Sequence, residues 1–305
     1  MAMANSKRKT MSETILITGA AGQLGQRVIH HLIETYKVPA ATIIAATRSP
    51  EKLGELAAKG IVTRKADFDD PAGLVAAFSG VDRLLIISTD ALAVPGQRLT
   101  QHKAAVDAAI KAGVKHIAYT SMPSPDKSLV TFAPDHLGTE NAIKASGIGY
   151  TILRNAWYLD NYLHGMPHNL QAGKWYTSTG DGKVSNISRD DCAIAIAGAL
   201  ASGTKDSALY TLTGTQSLNA SEIAAIVAEA TGKPLEVVNV NDEQLGQGMK
   251  GAGLPDFVAD MLVSADANIR AGNFDLVTND FNKLTGKVPQ SLKAFFVEHK
   301  AALIA

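Results

Sequence analysis

The chain has 305 residues, 46% of them hydrophobic, with 29 basic side chains balanced by 29 acidic ones. That length buries a substantial core in one large domain or two joined lobes. Zero net charge speaks against a nucleic-acid partner or an anionic membrane surface, since both attract a basic surplus.

One cysteine, Cys192, excludes an intramolecular disulfide framework and a cysteine-rich metal knuckle, which fits a reducing, cytoplasmic setting. No apolar run approaches the roughly 20 residues a membrane helix needs. Met1–Thr10 is polar, carries Lys7, Arg8 and Lys9 in a row, and lacks the apolar core of a secretory signal. It reads as a disordered extension or tag rather than a localisation signal, with Met11 as a second start.

From Glu13 onward, short β-branched runs alternate with helical patterns. Thr14–Gly19 reads as a buried strand. Leu24, Val28, Ile29, Leu32 and Ile33 then mark one face of a helix. Strands are predicted at Thr42–Thr47, Ile61–Phe68, Arg83–Ser88, His116–Ser121 and Tyr150–Leu153, and Leu84–Ile87 is apolar throughout, as in strands covered on both faces. Pro71–Phe78 and Gln101–Ala112 are helical in period. Strand–helix alternation at this spacing predicts an α/β fold, a Rossmann-type doubly wound parallel sheet.

Beyond residue 155 the rhythm loosens. Asp190–Ala201 and Ala220–Thr231 read as helices, and Ala208–Leu212 and Leu235–Val240 as strands. Residues 11–155 are the expected dinucleotide-binding domain and 156–305 mainly a smaller α/β substrate lobe, with elements around 183–214 able to return to the first sheet.

Between the first strand and helix lies Gly19-Ala20-Ala21-Gly22-Gln23-Leu24-Gly25, of the form G-x-x-G-x-x-G. Glycines there let the backbone turn and approach a pyrophosphate at a helix start. NAD-selective sites place an acid after the second strand to grip the ribose diol. Arg48 stands there instead, suited to a 2′-phosphate; the alternative is a solvated loop arginine. Asp67 and Phe68, ending the third strand, are placed for the adenine. Ser88 and Thr89, ending the fourth, are placed for the pyrophosphate and nicotinamide ribose.

Ketone-reducing short-chain dehydrogenases carry Tyr-x-x-x-Lys after the fifth strand. No tyrosine here has lysine four residues on; that helix offers His136, Glu140 and Lys144 on one face. This face is either a surface salt-bridge ladder or a polar contact with the ligand. A ketone becomes a basic alkoxide that needs a positioned acid, whereas a quinone becomes a weakly basic phenolate that water can protonate. The absence therefore favours conjugated acceptors, with His136 as the acid that would rescue a ketone reading.

Of 17 aromatic residues, Trp157, Tyr158, Tyr162, Trp175 and Tyr176 fall within one short segment. They are expected either to roof the nicotinamide end of a cleft and stack flat substrates, or to join the two lobes. His164 and His168 have metal-like spacing, but Gly165 and Pro167 are expected to break their helix, so no metal site is expected.

These motifs, with Ala66-Asp67-Phe68, His116–Ser121 and Leu153-Arg154-Asn155-Ala156-Trp157-Tyr158, resemble the atypical, NmrA-like short-chain dehydrogenases, especially bacterial quinone- and dye-reducing members. Ala21 departs from the threonine common in that family's glycine loop. The resemblance implies NADPH as cofactor, held by Gly19, Ala20, Ala21, Gly22, Gln23, Leu24, Arg48, Ser88, Thr89, Asn155, Ala156, Trp157 and Tyr158. It adds Asn155 and Tyr158 to His136 as candidate catalytic residues, and a small aromatic acceptor and a homodimer as expected partners. Azo, dye or carbonyl reduction, or a non-catalytic NADP(H) sensor, are the alternative functions.

Overall fold

The computed structural model describes residues 13–304; the expected extension Met1–Thr10 lies outside them. Among the described residues nine strands are formed: β1 (Ile15–Ile17), β2 (Ile43–Thr47), β3 (Val62–Lys65), β4 (Arg83–Ile86), β5 (His116–Ser121), β6 (Gly149–Asn155), β7 (Lys174–Thr177), β8 (Ala208–Leu212) and β9 (Glu236–Asn239). Seven make one parallel sheet in the order β3-β2-β1-β4-β5-β6-β8, and β7 pairs with β9 in a separate parallel ribbon. The doubly wound α/β expectation holds. Ala208–Leu212, read as a strand of the looser second half, is the seventh strand of the main sheet, registered against β6.

The helices are α1 (Gln23–Glu34), α2 (Gly54–Ala58), α3 (Pro71–Phe78), α4 (Gln97–Ala112), α5 (Ala133–Ala145), α6 (Tyr162–Ala172), α7 (Arg189–Ala201), α8 (Ala220–Thr231), α9 (Asp242–Gly251), α10 (Asp256–Arg270), α11 (Asp280–Thr285), α12 (Leu292–Glu298) and α13 (Lys300–Ile304). They cover both faces of the sheet, which explains why its central strands read as continuous apolar runs. Side chains alternate between the two layers: Ile15 and Ile17 of β1 pack with Val28, Ile29 and Leu32 of α1, while Leu16 packs with Leu74 and Phe78 of α3. Each such buried aliphatic side chain contributes about 1.5–3 kcal/mol.

Helix α7 is apolar around its whole circumference, with Cys192 through Leu200 buried, and it packs on α1 in the same layer. Its alanines permit that close approach, and Ser188 caps it by accepting from the Asp191 amide. A third core, with Met166, Val227, Phe274 and Phe296, lies under α6, α8, α10 and α12. The helix at Gly165 and Pro167 is not broken: α6 runs through both, forfeiting only the hydrogen bond Pro167 cannot donate.

Strand order reverses between β1 and β4, so the carboxyl ends of these strands border a crevice. Several strands end sooner than the sequence predicts, β3 and β4 among them. β3 stops at Lys65 and β4 at Ile86, so Asp67, Phe68, Ser88 and Thr89 are free of the sheet ladder and line its edge.

Candidate active site

The glycine turn sits at the reversal point. Gly19 has φ +61°, the left-handed region that favours glycine, and its carbonyl accepts from the Gly22 amide at 2.9 Å. A Cβ on Gly25 would lie 2.3 Å from the Gly19 oxygen, so the first turn of α1 rests directly against this loop. Neighbouring strands pin the turn. The Thr18 amide and hydroxyl both donate to the Leu85 carbonyl at 3.0 Å, and the Ala20 amide donates to the Ala46 carbonyl at 3.0 Å.

α1 begins at Gly22 with no side-chain cap and no acidic residue in its first turn. Helices α3, α7 and α8 are closed by Asp70, Ser188 and Asn219. The open amides and positive dipole end of α1 are suited to an anion at the crevice. Ala20 and Leu24 are buried behind the turn, while Ala21, Gly22 and Gln23 face outward. The Gln23 side chain accepts from Arg189 at 2.7 Å.

Arg48 is exposed just past β2, with no ion-pair partner among the described residues. Asp67 folds into an Asx turn, accepting from the Asp69 amide at 3.1 Å. Phe68 packs into the layer with Leu74 and Phe78, leaving 8% of its surface exposed, so it contributes more to the core than to a ligand wall.

The fourth-strand edge is held from below. The Ser88 amide donates to Thr120 Oγ1 at 2.9 Å, and the Thr89 amide to His102 Nε2 at 2.9 Å. Arg98 Nε donates to the Thr89 carbonyl at 2.7 Å. Arg98 and His102 were not singled out from sequence, although they are polar members of the buried stripe of α4 that continues through Ala105 and Ala109.

On α5, read from sequence as either a surface ladder or a ligand contact, His136 and Glu140 are interior. His136 is 4% exposed, and its ring nitrogens meet Tyr119 Oη at 2.8 Å and Arg98 Nη2 at 3.0 Å. Burial and the adjacent Arg98 guanidinium push its pKa well below that of a free imidazole, so it is neutral and fully engaged. That geometry argues against His136 as a proton source. Glu140 is wholly buried; it accepts from Ser121 at 2.7 Å and from both Arg154 Nε and Nη2 at 2.8 Å, with Lys144 at 3.2 Å. Burial alone would raise its pKa, but these donors outweigh it and keep the carboxylate ionised.

At the end of β6, Asn155 Nδ2 donates to Tyr158 Oη at 2.9 Å, while Asn155 Oδ1 is buried without a partner. The Tyr158 ring carries Arg189 over its face at 4.9 Å, and burial pushes its hydroxyl pKa up. The Ala156 amide closes on the Leu212 carbonyl at 2.9 Å. Trp157 packs on Phe274, and Tyr162 sits between Trp175 and Phe296 in the third core. The aromatic segment therefore forms no single wall. Trp157, Tyr162 and Trp175 are half-buried against the third core, Tyr176 is exposed on β7, and Tyr158 turns toward Asn155.

Cys192 is buried and its thiol pKa is raised well above the ordinary value by burial, so it is inert. No group of three or more metal-ligating side chains occurs among the described residues, and no helix there is long and apolar enough to cross a membrane. A cleft of about 440 Å³ opens between α9, α10 and Leu129 of the β5–α5 loop.

The parallel sheet with a glycine turn at its reversal point defines the class: a Rossmann-type α/β protein. The family model for NmrA-like proteins matches residues 11–283, and the chain belongs to the NmrA-like family. It is 39% identical to Quinone oxidoreductase 2 of Escherichia coli (strain K12) over 93% of this chain and 98% of that protein. Identity is 30% to the NAD(P)H azoreductase of Xenophilus azovorans, over 94% and 98%. Among solved structures, the E. coli quinone oxidoreductase in complex with NADPH superposes with a TM-score of 0.88, covering 94% of this chain and 99% of the other at 39% identity. The triphenylmethane reductase of Citrobacter sp. gives 0.87 over 94% and 99% at 35% identity.

Proposed function

We propose that this protein is an NADPH-dependent oxidoreductase that passes hydride to quinones or similar electron-poor conjugated acceptors. One observation carries the reading: the uncapped N-terminus of α1, turned by glycines at the sheet's reversal point, is paired with a site that offers no poised acid. The likeness to quinone and azo reductases over nearly the whole chain supports it.

The residues fit a dinucleotide. The loop from Gly19 to Leu24 offers amides and a dipole to the pyrophosphate, and Arg48 offers an unpaired guanidinium to a 2′-phosphate. Asp67 would border the adenine, Ser88 and Thr89 the ribose, and Asn155 to Tyr158 the nicotinamide. The buried, unpartnered Asn155 Oδ1 calls for a donor, which a carboxamide supplies. When bound, the cofactor supplies the hydride.

The chain's own groups orient and shield. Asn155 fixes the Tyr158 hydroxyl, and Arg189 holds that ring from its other side. Tyr158 can then offer a hydrogen bond to an acceptor oxygen without surrendering its proton, because burial keeps the phenol neutral. A hydroquinone anion needs no more, since water protonates it.

Purified protein mixed with NADPH and a panel of quinones, azo and triphenylmethane dyes and simple ketones, followed at the nicotinamide absorbance, is expected to oxidise NADPH with quinones and leave ketones untouched. Preferential ketone turnover would refute the missing-acid argument. Tight NADPH binding with silence toward every acceptor would identify a sensor instead.

A further inference from the structure

The helix that carries a Tyr-x-x-x-Lys relay in ketone reductases here carries His136 and Glu140, and neither side chain reaches solvent. Each ends instead on a group at the carboxyl edge of the sheet. Glu140 holds Ser121 and Arg154, at the ends of β5 and β6. His136 holds Arg98, and Arg98 holds the Thr89 carbonyl.

Thr89 needs such support because β4 ends at Ile86, leaving the Ser88–Thr89 backbone without a strand partner. Side chains satisfy it. The Thr89 amide donates to His102 Nε2, so that nitrogen must be bare and Nδ1 must carry the proton, donated to Thr139 Oγ1 at 2.9 Å. Thr139 passes its own hydrogen to the Asp135 carbonyl at 2.6 Å. Arg98 Nη2 likewise fixes His136 with a bare Nε2, leaving Nδ1–H for Tyr119 Oη. Every bond in the chain has one allowed direction, so the Thr89 peptide is held in one orientation on both its amide and carbonyl sides.

Arg98 is also unusual as a cation. It is 5% exposed, its nearest carboxylate, Asp135, is 3.9 Å away, and Nη1 has no partner. A weakly compensated buried charge is costly to keep. Its fork spans Thr89 and His136, a task no apolar residue could perform.

We propose that Arg98, His102 and His136 are positioning residues that preset the Ser88–Thr89 edge for the dinucleotide, clamping the Thr89 peptide before ligand arrives. This rests on the cofactor reading above. A preset edge binds without ordering a loop, so loosening it lowers affinity for the cofactor more than it lowers turnover once the site is saturated.

The test compares dissociation constants for NADPH, by fluorescence titration, with thermal midpoints of the ligand-free protein. His102→Leu removes the acceptor for the Thr89 amide and is expected to raise the constant about ten-fold while kcat at saturating NADPH changes less than three-fold. His102→Gln restores an acceptor oxygen and is expected to recover affinity to within about three-fold. His116→Leu is the control: His116 is equally buried, bonds Thr151 at 2.8 Å, and lies at the opposite end of β5. It should lower the thermal midpoint and leave the constant unchanged. Unchanged affinity in His102→Leu, or equal weakening in His116→Leu, overturns the proposal while the cofactor reading stands. Failure of the unaltered protein to bind NADPH overturns both.

Discussion

Arg48 shows how much one residue can decide. Nothing in the described structure engages its guanidinium, yet it stands where β2 delivers the chain to the crevice. The sequence singled it out because an acid was expected there and a base stands instead, and its exposed guanidinium is open to a ligand. Arg48→Ala is expected to weaken NADPH binding at least ten-fold while leaving NADH binding within two-fold, as measured by the ratio of kcat/KM for the two cofactors. Retained preference for NADPH would show that the 2′-phosphate is gripped elsewhere. Asn155 is the complementary case. Its place in the chain marked it as a candidate, but only the fold revealed that one of its oxygens is buried with nothing to accept from.

At the scale of elements, the decisive contacts join α5 to the strands beside it. Glu140 crosses from α5 to β5 and β6 and accepts the full Arg154 fork. Removing one member of a buried, hydrogen-bonded ion pair leaves the other uncompensated. Glu140→Ala is therefore expected to cost about 3 kcal/mol of unfolding free energy in urea titrations, and adding Arg154→Met should recover part of it. A loss under about 0.5 kcal/mol, the size of an ordinary surface pair, would contradict this assignment. Spacing alone showed that His136, Glu140 and Lys144 share a face, but not that His136 and Glu140 turn inward while Lys144 stays at the surface. Three polar residues on a helix look the same whether solvent or a buried network receives them, since the partners come from distant parts of the chain. The same limit applied to the aromatic segment. Its density was visible, but Tyr162, packed on Trp175, meets Phe296 only because the C-terminal helices fold back over it.

For the whole molecule, buried imidazoles set a dependence on pH. Burial, assisted by Arg98, lowers the His102 pKa to about 3; burial and Arg83 lower that of His116 to about 4, and His136 moves in the same direction. In the unfolded chain an imidazole titrates near about 6.5. Between those values the unfolded chain binds protons that the native state refuses, so stability is full above pH 7 and falls as pH drops below 6.5. At pH 5, His102 alone removes on the order of 2 kcal/mol. Denaturation midpoints at pH 7.5 and 5.0 should show this fall, and His102→Gln should reduce it. Asp191 and Asp266, whose carboxyl pKa values burial raises, act in the opposite sense toward lower pH; a flat profile between pH 7.5 and 5.0 would contradict the histidine assignment.

Local chemistry was legible in the chain itself. Apolar runs of strand length, the Gly19–Gly25 turn, Arg48 in place of an acid and the lack of Tyr-x-x-x-Lys all depend on neighbours a few residues apart. They determined a dinucleotide-type α/β sheet and the absence of a Tyr-x-x-x-Lys pair. Tertiary structure decided the rest, because it depended on which distant groups meet. It drew Phe68 into the core and fixed β8, which the sequence had left able to return to the main sheet, at that sheet's edge. It also turned the α5 face inward, so that a histidine and a glutamate brace the ends of three strands rather than facing water. Burial is a property of the folded whole, and burial makes the same imidazole a solvated base in one setting and a fixed, neutral bracket in this one.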